Sequence, residues 1–533
     1  MAPNFSLTWD TSGLLFSDHS SLLSYAGILI SSTVLLSVYY VTCYLRSPLR
    51  RYPGPALAGF SNLWRFYHIR QKKFHLVTQD LHSKYGPVVR IAPNVLDVDY
   101  PELLKVVFGI KGEWRKTESV LASSSLVNGN IALNLFSQMD PEIHARWKKP
   151  VAKYYAVTGV APLEGHIDRT VELLCAEMDK RFLGEKGEGV IDLGKWMNFY
   201  SWDSIGALTF SQPLGYLSSG KDFDGTLLTA EKSIDYFATC YSFPFLDRLM
   251  DKNPFALFRK LGPPGFGPIT GRTLERMIAR AKGEDKDVHW ADQPDYLDKF
   301  VEAKQLYPEI VDDNVLVGYV MNNMIAGADT TASVMRAAIY YSLKDGKKVW
   351  NKLSEEVLGK FGNEEGPVSY KAARGFEYLD AVIKEALRIQ PAVAFGLERY
   401  VPKGGVTLPG DKGGFVPEGA VLAFNPYILN HNKGVFGEDA DEFRPERWLK
   451  GVGEAKEKYE ERLQAMNNAE FSFGGGSRLC IGKHVALMQL YKVLATLVLL
   501  YDLELVDPER EWKVINSMFI RHEGLDVRIK RRM

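Results

Sequence analysis

The residue whose setting most clearly suggests chemistry is Cys480, in the run Phe-Gly-Gly-Gly-Ser-Arg-Leu-Cys-Ile-Gly at positions 473–482. Three consecutive glycines disfavour a helix, whereas apolar residues recur at helical spacing from Ile481 onwards. The cysteine therefore lies where a loop enters a helix N-terminus, whose free N–H groups and dipole favour a thiolate. A thiolate with no second cysteine nearby suits an axial haem ligand better than zinc or an iron–sulfur cluster. The alternative is a buried, inert cysteine after a glycine turn.

A second run with chemical potential is Ala-Gly-Ala-Asp-Thr-Thr, residues 326–331, in the middle of a helical pattern over 314–344. Gly327 and the two alanines remove bulk, so a flat group could approach the backbone closely. The Thr330 hydroxyl can bend the helix by bonding back to a carbonyl, and the Asp329 carboxylate can transfer protons. The alternative is a close crossing of two helices through small residues.

A third pattern consists of opposite charges spaced for one helical face. Glu385 and Arg388 are three residues apart, and Arg447 follows in the run Phe-Arg-Pro-Glu-Arg-Trp at 443–448. The planar guanidinium of Arg447 could bind the carboxylate that Arg388 also binds. An isolated surface salt bridge of little energetic value is the alternative.

An uncharged stretch near the N-terminus predicts a membrane anchor at 20–45, preceded by a short lumenal tail at 1–19. Three arginines follow by residue 51, which places the C-terminal side in the cytosol. We expect a basic, proline-containing hinge at 46–59 and a catalytic domain at 60–533. A cleaved signal peptide is the rival, but the stretch is long and the tail carries no lysine or arginine.

Composition excludes some classes of protein. Lysine plus arginine and aspartate plus glutamate number 65 each, so net charge gives no reason to expect nucleic acid as a partner. Four widely spaced cysteines favour a reducing compartment over a disulfide framework.

The remaining patterns predict one large, mainly helical domain with small β-sheets. An apolar loop at 253–268 is a candidate for lipid contact, with an ordinary packed loop as the alternative. The predicted helices are 167–182, 202–209, 314–344, 349–361 and 378–390. The predicted strands are 89–93, 95–98, 405–408 and 419–425, with a β-hairpin over 514–529.

The cysteine loop resembles the haem-binding loop Phe-x-x-Gly-x-Arg-x-Cys-x-Gly of cytochrome P450 proteins. Its matching residues are Phe473, Gly476, Arg478, Cys480 and Gly482. The central run is similar to the Ala-Gly-x-Asp-Thr-Thr groove of the same family, and the likeness extends from the anchor to the tail. It implies the cytochrome P450 fold behind a transmembrane helix, with heme b held by Cys480 as axial iron ligand. Segment 144–156 and the anchor look most like fungal microsomal enzymes such as the pisatin demethylase group.

The same resemblance assigns supporting roles. It implies that Glu385, Arg388 and Arg447 form a buried structural triad beneath the cysteine loop. The haem propionates need cations or hydrogen-bond donors, and four side chains are implied for them: His144, Lys148, Arg399 and Arg478. Lys148 stands where relatives often carry arginine, and Arg146 and Trp147 are alternatives to it.

The implied activity is monooxygenation. One atom of O2 would enter a lipophilic substrate by hydroxylation, epoxidation or oxidative demethylation, with Asp329 and Thr330 as the proton relay. Electrons would come from NADPH through an NADPH–cytochrome P450 reductase, with cytochrome b5 as a second candidate donor and Lys148, Lys149 and Lys483 as a docking patch. Two rivals stay open: a haem-thiolate isomerase or dehydratase that uses no NADPH, and a non-catalytic haem-binding sensor or membrane carrier.

The substrate is expected to be a lipophilic small molecule, because the segments implied to line the pocket are apolar: 121–136, 321–328, 393–397 and 517–519. The resemblance further implies a single-pass protein of the endoplasmic reticulum membrane, in contact with lipid, with its catalytic domain in the cytosol. Fungal secondary metabolite biosynthesis is the expected biological setting.

Overall fold

The structure is a computed structural model that describes residues 17–109, 113–127, 129–183, 189–253, 255, 265–290, 292–362, 365–410 and 414–532. Two sequence predictions fall largely outside these residues. They are the lumenal tail at 1–19 and the apolar loop at 253–268.

Helices dominate the described part of the chain. Those of eight residues or more are α1 (Ser17–Arg46), α2 (Leu63–Arg70), α3 (Phe74–Tyr85), α4 (Pro141–Lys148), α5 (Glu164–Met178), α6 (Leu193–Phe210), α7 (Thr226–Ser242), α8 (Gly267–Lys282), α9 (Tyr296–Leu306), α10 (Asp313–Gly327), α11 (Asp329–Phe361), α12 (Glu377–Ile389), α13 (Lys456–Ala469) and α14 (Lys483–Leu500). Short helical turns connect several of them.

The predicted helix over 314–344 was wrong in one respect, because it is broken into α10 and α11 at Ala328. That residue has φ −84° and ψ −70°, at the edge of the right-handed α region and away from the regular helical values. The hydroxyl groups of Thr330 and Thr331 donate to the carbonyl oxygens of Ala326 and Gly327, 2.6 and 2.9 Å away. These bonds compete with the regular backbone ladder and bend the helix. Positive φ values at residues 345–347 then interrupt α11 close to the predicted end at 344.

The strands form small sheets. The largest runs in the order β1 (Val88–Ala92), β2 (Val95–Val98), β9 (Val421–Phe424) and β6 (Leu397–Tyr400), with β2 and β9 parallel. A second has the order β10 (Tyr501–Leu505), β13 (Asp526–Arg531) and β5 (Val190–Asp192). Three two-stranded ribbons pair β3 (Ser125–Val127) with β4 (Asn130–Ala132), β7 (Val406–Leu408) with β8 (Gly414–Val416), and β11 (Lys513–Asn516) with β12 (Ile520–Glu523).

The tail hairpin predicted over 514–529 is confirmed for 514–523 and wrong beyond residue 523. Ile515 pairs with Arg521 across a short ribbon. The following strand, β13, instead pairs with β10, where Ile529 lies opposite Leu503. The two strands alternate buried and more exposed side chains, and their buried faces meet the helical core.

Two helices are long and apolar enough to cross a membrane, but their burial differs. Helix α14 is mostly buried inside the protein and belongs to its largest hydrophobic cluster. The apolar part of α1, Tyr25–Arg46, is not buried by the rest of the protein. Only the N-terminal helix therefore remains a candidate membrane span in the described part of the chain.

The proline segment after this helix is packed rather than free. Arg90 N donates to Pro53 O over 2.7 Å, and a Cβ on Gly54 would lie 2.3 Å from Arg90 O. Leu49 and Tyr52 are buried in a hydrophobic cluster with the largest sheet. The predicted hinge at 46–59 is thus partly built into the catalytic body.

Apolar side chains from two separate segments form a patch on the surface. Leu63 and Tyr67 on α2, and Phe245 shortly after α7, are each more than half exposed. The ring of Phe66 lies 5.6 Å from that of Phe243, which lies 5.9 Å from that of Phe245, so the two parts are continuous. Such a patch can contact lipid.

Deletion of residues 1–43 should release part of the protein from carbonate-washed membranes and leave its visible absorption spectrum unchanged. This deletion keeps Tyr44, which stacks on Phe60 at 4.5 Å. Adding Phe245→Glu should increase the released fraction because it puts a charge in the patch. The matched control is Val157→Glu, at an exposed valine outside the patch. Loss of the spectrum on deletion, or equal release with both glutamates, would contradict the prediction.

Candidate functional site

The cysteine loop owes its course to one close backbone approach. Gly476 has φ +55°, and a Cβ there would lie 1.4 Å from the carbonyl oxygen of Phe108. That oxygen accepts a hydrogen bond from Ser477 N at 3.2 Å, and Cys480 N donates to Phe473 O at 2.9 Å. Any side chain at position 476 would therefore displace the loop that carries the cysteine.

Cys480 lies three residues before the start of α14 and opens onto an internal cavity. Burial raises the pKa of its thiol, although the backbone N–H groups of Gly482 and Lys483 and the charge of Lys148 oppose the rise. The sequence led us to expect a lowered pKa at this helix N-terminus. In the structure Cys480 is exposed to the cavity, but the surrounding protein raises the pKa by desolvation more than the helix and the nearby charges lower it.

The cavity has a volume of about 270 Å³ and lies between α10, α11 and the cysteine loop. Each of the segments predicted to line the pocket contributes to it. The structure adds apolar residues that the sequence did not single out, namely Ile234 and Phe237 on α7 and Phe266 directly before α8. Lining residues include Ser123, Asn134, Phe136, Ile234, Phe237, Phe266, Asn322, Ala326, Val393, Leu397 and Phe519.

Gly327, predicted to leave room for a flat group, lines the cavity and also serves a second purpose. A Cβ on Gly327 would lie 2.7 Å from Cδ1 of Ile205, a residue of α6. The missing side chain of Gly327 thus allows α10 to pack closely on α6. Ala326, the residue before it, lines the cavity and leaves space there.

The structure separates the two residues of the expected proton relay. Thr330 lines the cavity, and its hydroxyl donates to Ala326 O at 2.6 Å, so its lone pairs remain available to accept a hydrogen bond. Asp329 is not among the lining residues, and its Oδ1 accepts from Nε1 of Trp202 at 3.0 Å. Burial raises the pKa of Asp329, against the opposing effects of Trp202 and Arg336. The carboxylate therefore lies behind the helix that presents Thr330.

A cluster of basic groups lies at one end of the cavity. It comprises the predicted residues His144, Lys148, Arg399 and Arg478, together with Lys116, which the sequence did not single out. No described member forms an ion pair with a carboxylate. Burial lowers the pKa of Arg399 to about 9, that of Arg478 to about 10 and that of His144 to about 3. Neighbouring cations add to this effect at Arg399 and His144, whereas Asp140 opposes it at Arg478.

Uncompensated buried cations are unfavourable unless an anion joins them. The cluster therefore fits a ligand with two carboxylates, such as a haem with its propionates. His144 would be neutral near pH 7 and would serve as a hydrogen-bond donor or acceptor rather than as a cation.

Individual members of this basic cluster also hold the backbone. Arg478 donates to the carbonyl oxygens of Gln138 and Met139 at 2.8 and 3.1 Å. Lys148 donates to Ser477 O at 3.2 Å and so ties α4 to the cysteine loop. Arg399 does not line the cavity itself and stacks on Phe108, with 4.5 Å to the ring centroid.

The alternatives to Lys148 are placed elsewhere. Arg146 points away and donates to the backbone oxygen of Glu309 at 2.8 Å. Trp147 packs against the hydrophobic core.

The structure brings Glu385, Arg388 and Arg447 together in the interior. The carboxylate of fully buried Glu385 accepts from Arg388 at 2.7 and 2.9 Å and from Arg447 Nε at 2.8 Å. Trp448 Nε1 and the backbone N–H of Arg444 complete its shell at 2.8 and 2.9 Å, and the sequence had not indicated either. Burial alone would raise the pKa of Glu385, but these arginines lower it overall. Its stabilising effect is therefore full at neutral pH and is lost as the pH falls through the folded-state pKa.

The triad reaches the cysteine loop through Asn430. Arg388 Nη1 donates to Asn430 O at 2.8 Å. The side chain of Asn430 in turn accepts from Phe471 N at 3.0 Å and donates to Ser472 Oγ at 2.9 Å. Ser472 directly precedes Phe473, the first residue of the loop motif, so the triad sets the position at which the loop begins.

Comparison with known proteins agrees with this arrangement. The family model "Cytochrome P450" matches residues 53–526. Over 512 residues the chain is 44% identical to cytochrome P450 monooxygenase cfoH of Aspergillus candidus, covering 96% of this chain and 93% of that protein. It is 34% identical over 516 residues to cytochrome P450 monooxygenase vrtE of Penicillium aethiopicum, covering 95% and 94%. It is 32% identical over 513 residues to the longer cytochrome P450 monooxygenase mpaDE of Penicillium roqueforti, covering 95% of this chain and 58% of that protein.

The fold, the loop and these matches define a haem-thiolate protein. The chain belongs to the cytochrome P450 family and is an oxidoreductase that incorporates oxygen from O2. The mainly helical fold with small sheets that the resemblance implied is confirmed.

Replacing Glu385 with alanine should destabilise the protein by about 3–5 kcal/mol, because two buried guanidinium groups lose their carboxylate. Urea unfolding and the ratio of haem to protein after purification measure the effect. Glu302→Ala is the matched control, since Glu302 pairs with Lys153 at the surface and should contribute about 1 kcal/mol or less. Equal stability of the two variants would show that the Glu385 pairs contribute no more than surface ones.

Proposed function

We propose that this chain is a membrane-anchored monooxygenase in which Cys480 is the axial thiolate ligand of heme b. The observation that carries the proposal is the pairing of two features in one cavity. One cysteine opens onto it from a glycine-shaped loop, and basic residues that form no ion pair with any described carboxylate lie at one end. Phe473, Gly476, Arg478 and Gly482 are proposed as further cofactor-binding residues, with His144, Lys148, Arg399 and Lys116 at the propionates.

Haem with a thiolate ligand supplies the chemistry that splits O2, because the sulfur donates electron density to the iron. The protein's own residues bind and orient. Ala326 leaves open space beside the backbone, and the Thr330 hydroxyl accepts a hydrogen bond and holds a proton at the cavity wall. Asp329 would exchange protons behind the helix, where Trp202 keeps one of its oxygens occupied.

The apolar lining supports a lipophilic substrate. We assign electron supply to an NADPH–cytochrome P450 reductase, with cytochrome b5 as a second donor and Lys148, Lys149 and Lys483 as candidate docking residues. The exposed N-terminal helix supports attachment to the endoplasmic reticulum membrane with the catalytic domain in the cytosol. Domain limits of 20–45 for the anchor and 60–533 for the catalytic part stay predictions, as do the pisatin demethylase likeness and a role in fungal secondary metabolism.

The rival functions differ in what they consume. An isomerase or dehydratase would convert substrate without NADPH, and a sensor or carrier would bind haem without turnover. Retention of a cavity-facing hydroxyl at Thr330 favours the monooxygenase, because neither rival needs a proton relay to oxygen. Measuring NADPH and O2 consumption beside product formation, with reductase present, separates the three.

Substituting Cys480 with serine should abolish the strongly red-shifted absorption of the reduced carbon monoxide complex. A serine hydroxyl is a weaker electron donor and ionises less readily than a thiol. Cys43→Ser, in the N-terminal helix, is the control and should keep the band. Persistence of the band in Cys480→Ser would remove Cys480 from the role of ligand.

Thr330→Ala should lower the ratio of oxygenated product to NADPH consumed, with hydrogen peroxide making up the difference. General acid–base assistance of this kind contributes about 10²–10⁴-fold, although ordered water can replace part of it. Thr330→Ser keeps the hydroxyl and should retain the ratio. Thr331→Ala removes the neighbouring hydroxyl bond to Gly327 O and controls for a change in helix shape. An unchanged ratio in Thr330→Ala would exclude this hydroxyl from the relay.

A further inference from the structure

We propose that the side-chain amide of Asn322 is a hydrogen-bonding anchor for the substrate, which is therefore a largely apolar molecule carrying a hydroxyl or carbonyl oxygen. The inference deepens the proposed function and rests on it. Asn322 would decide which end of the substrate reaches the reacting centre.

The first argument is the position of Asn322 on its helix. Asn322, Ala326 and Thr330 follow one another at intervals of four residues, which places them on one side of the α10–α11 axis. All three line the cavity. One turn earlier on the same side is Gly318, where a Cβ would lie 2.8 Å from Leu133 O. This side of the helix therefore also faces the segment that continues into the lining residues Asn134 and Phe136.

The second argument is that the amide of Asn322 has no partner within the described part of the protein, and it is only half-buried. Two other asparagines of the lining already use their side-chain oxygens, although Nδ2 of Asn323 has no partner in the described part of the protein. Asn134 donates to Ser123 O at 3.0 Å and accepts from the backbone N–H of Phe136 at 2.8 Å. The hydroxyl of Tyr155 donates to Asn323 Oδ1. Asn322 alone of these three asparagines thus keeps its donor and acceptor both free for a ligand.

The third argument is the apolar setting. Phe136, Ile234, Phe237, Val393 and Phe519 form much of the lining that is not basic. An amide that a lipophilic ligand covers without a hydrogen bond loses its contact with water and gains nothing in return. A substrate without a polar oxygen would therefore bind at a cost, and one with a suitably placed oxygen would not.

Helix geometry also limits where that oxygen lies. Eight residues separate Asn322 from Thr330, which corresponds to about 12 Å along a helix axis. The anchored oxygen should thus lie on the order of 10 Å from the carbon that is oxidised. A rigid, elongated skeleton with oxygen at one end satisfies this distance.

The test compares Asn322→Leu with the wild-type holoenzyme, using 5α-androstane and 5α-androstan-3-one as a matched pair of probes. Equilibrium dialysis gives the dissociation constant of each probe without turnover. Loss of a net hydrogen bond should weaken ketone binding about three- to tenfold. Hydrocarbon binding should be unchanged or tighter, because leucine adds apolar contact.

Two further variants guard against a general disturbance of the cavity. Asn322→Gln keeps an amide and should restore part of the preference for the ketone. Val393→Leu alters the lining without altering its hydrogen bonds and should change both dissociation constants in parallel.

A parallel change in Asn322→Leu, or no binding of either probe to the wild type, would overturn the inference. The carbon monoxide spectrum distinguishes this failure from failure of the proposed function. Asn322→Leu should keep the thiolate band, whereas a wild type that lacks the band would refute the haem-thiolate assignment itself.

Discussion

The rest of the site depends on the buried carboxylate of Glu385. A charge in the protein interior is costly unless donors surround it, and here Arg388, Arg447, Trp448 and the backbone of Arg444 do so. These donors come from two separate parts of the chain. The same arginines bind further carbonyl oxygens, and Asn430 carries the constraint to the start of the cysteine loop. A loop rich in glycine thereby obtains a defined position from a network that lies outside it.

The opposite electrostatic situation exists in the cavity. There, buried Lys116 and Arg399 and half-buried Arg478 lie near one another and form no ion pair among the described residues, so they repel one another, and Glu398 and Asp140 offset this repulsion only in part. A dianionic ligand would relieve this repulsion and thus couple cofactor binding to the stability of the fold. The charges of the structural triad are paired within the chain, whereas those of the basic cluster require an anionic ligand.

Neighbouring side chains on the central helices α10 and α11 have different roles. Gly327 lets the helix approach α6, and the hydroxyl of Thr330 bends it beside the cavity. Asp329 faces Trp202 on the far side, away from the substrate space. Two turns before Thr330, the amide of Asn322 faces that space and has no partner among the residues that the structure describes. Chemistry and recognition are therefore separated along the helix by about 12 Å.

The sequence by itself determined the class of protein, the loop that carries Cys480, the charge pattern of the triad and most helices. These features are encoded in local spacing, glycine content and apolar periodicity, which need no knowledge of distant contacts. Only the tertiary structure decided the direction that each side chain faces. Local pattern could not show that Gly327 packs on Ile205, that Asp329 turns to Trp202 or that Lys116 joins the basic cluster. It also could not foresee the raised pKa of Cys480, because the protein that desolvates its sulfur comes from residues far away in the chain.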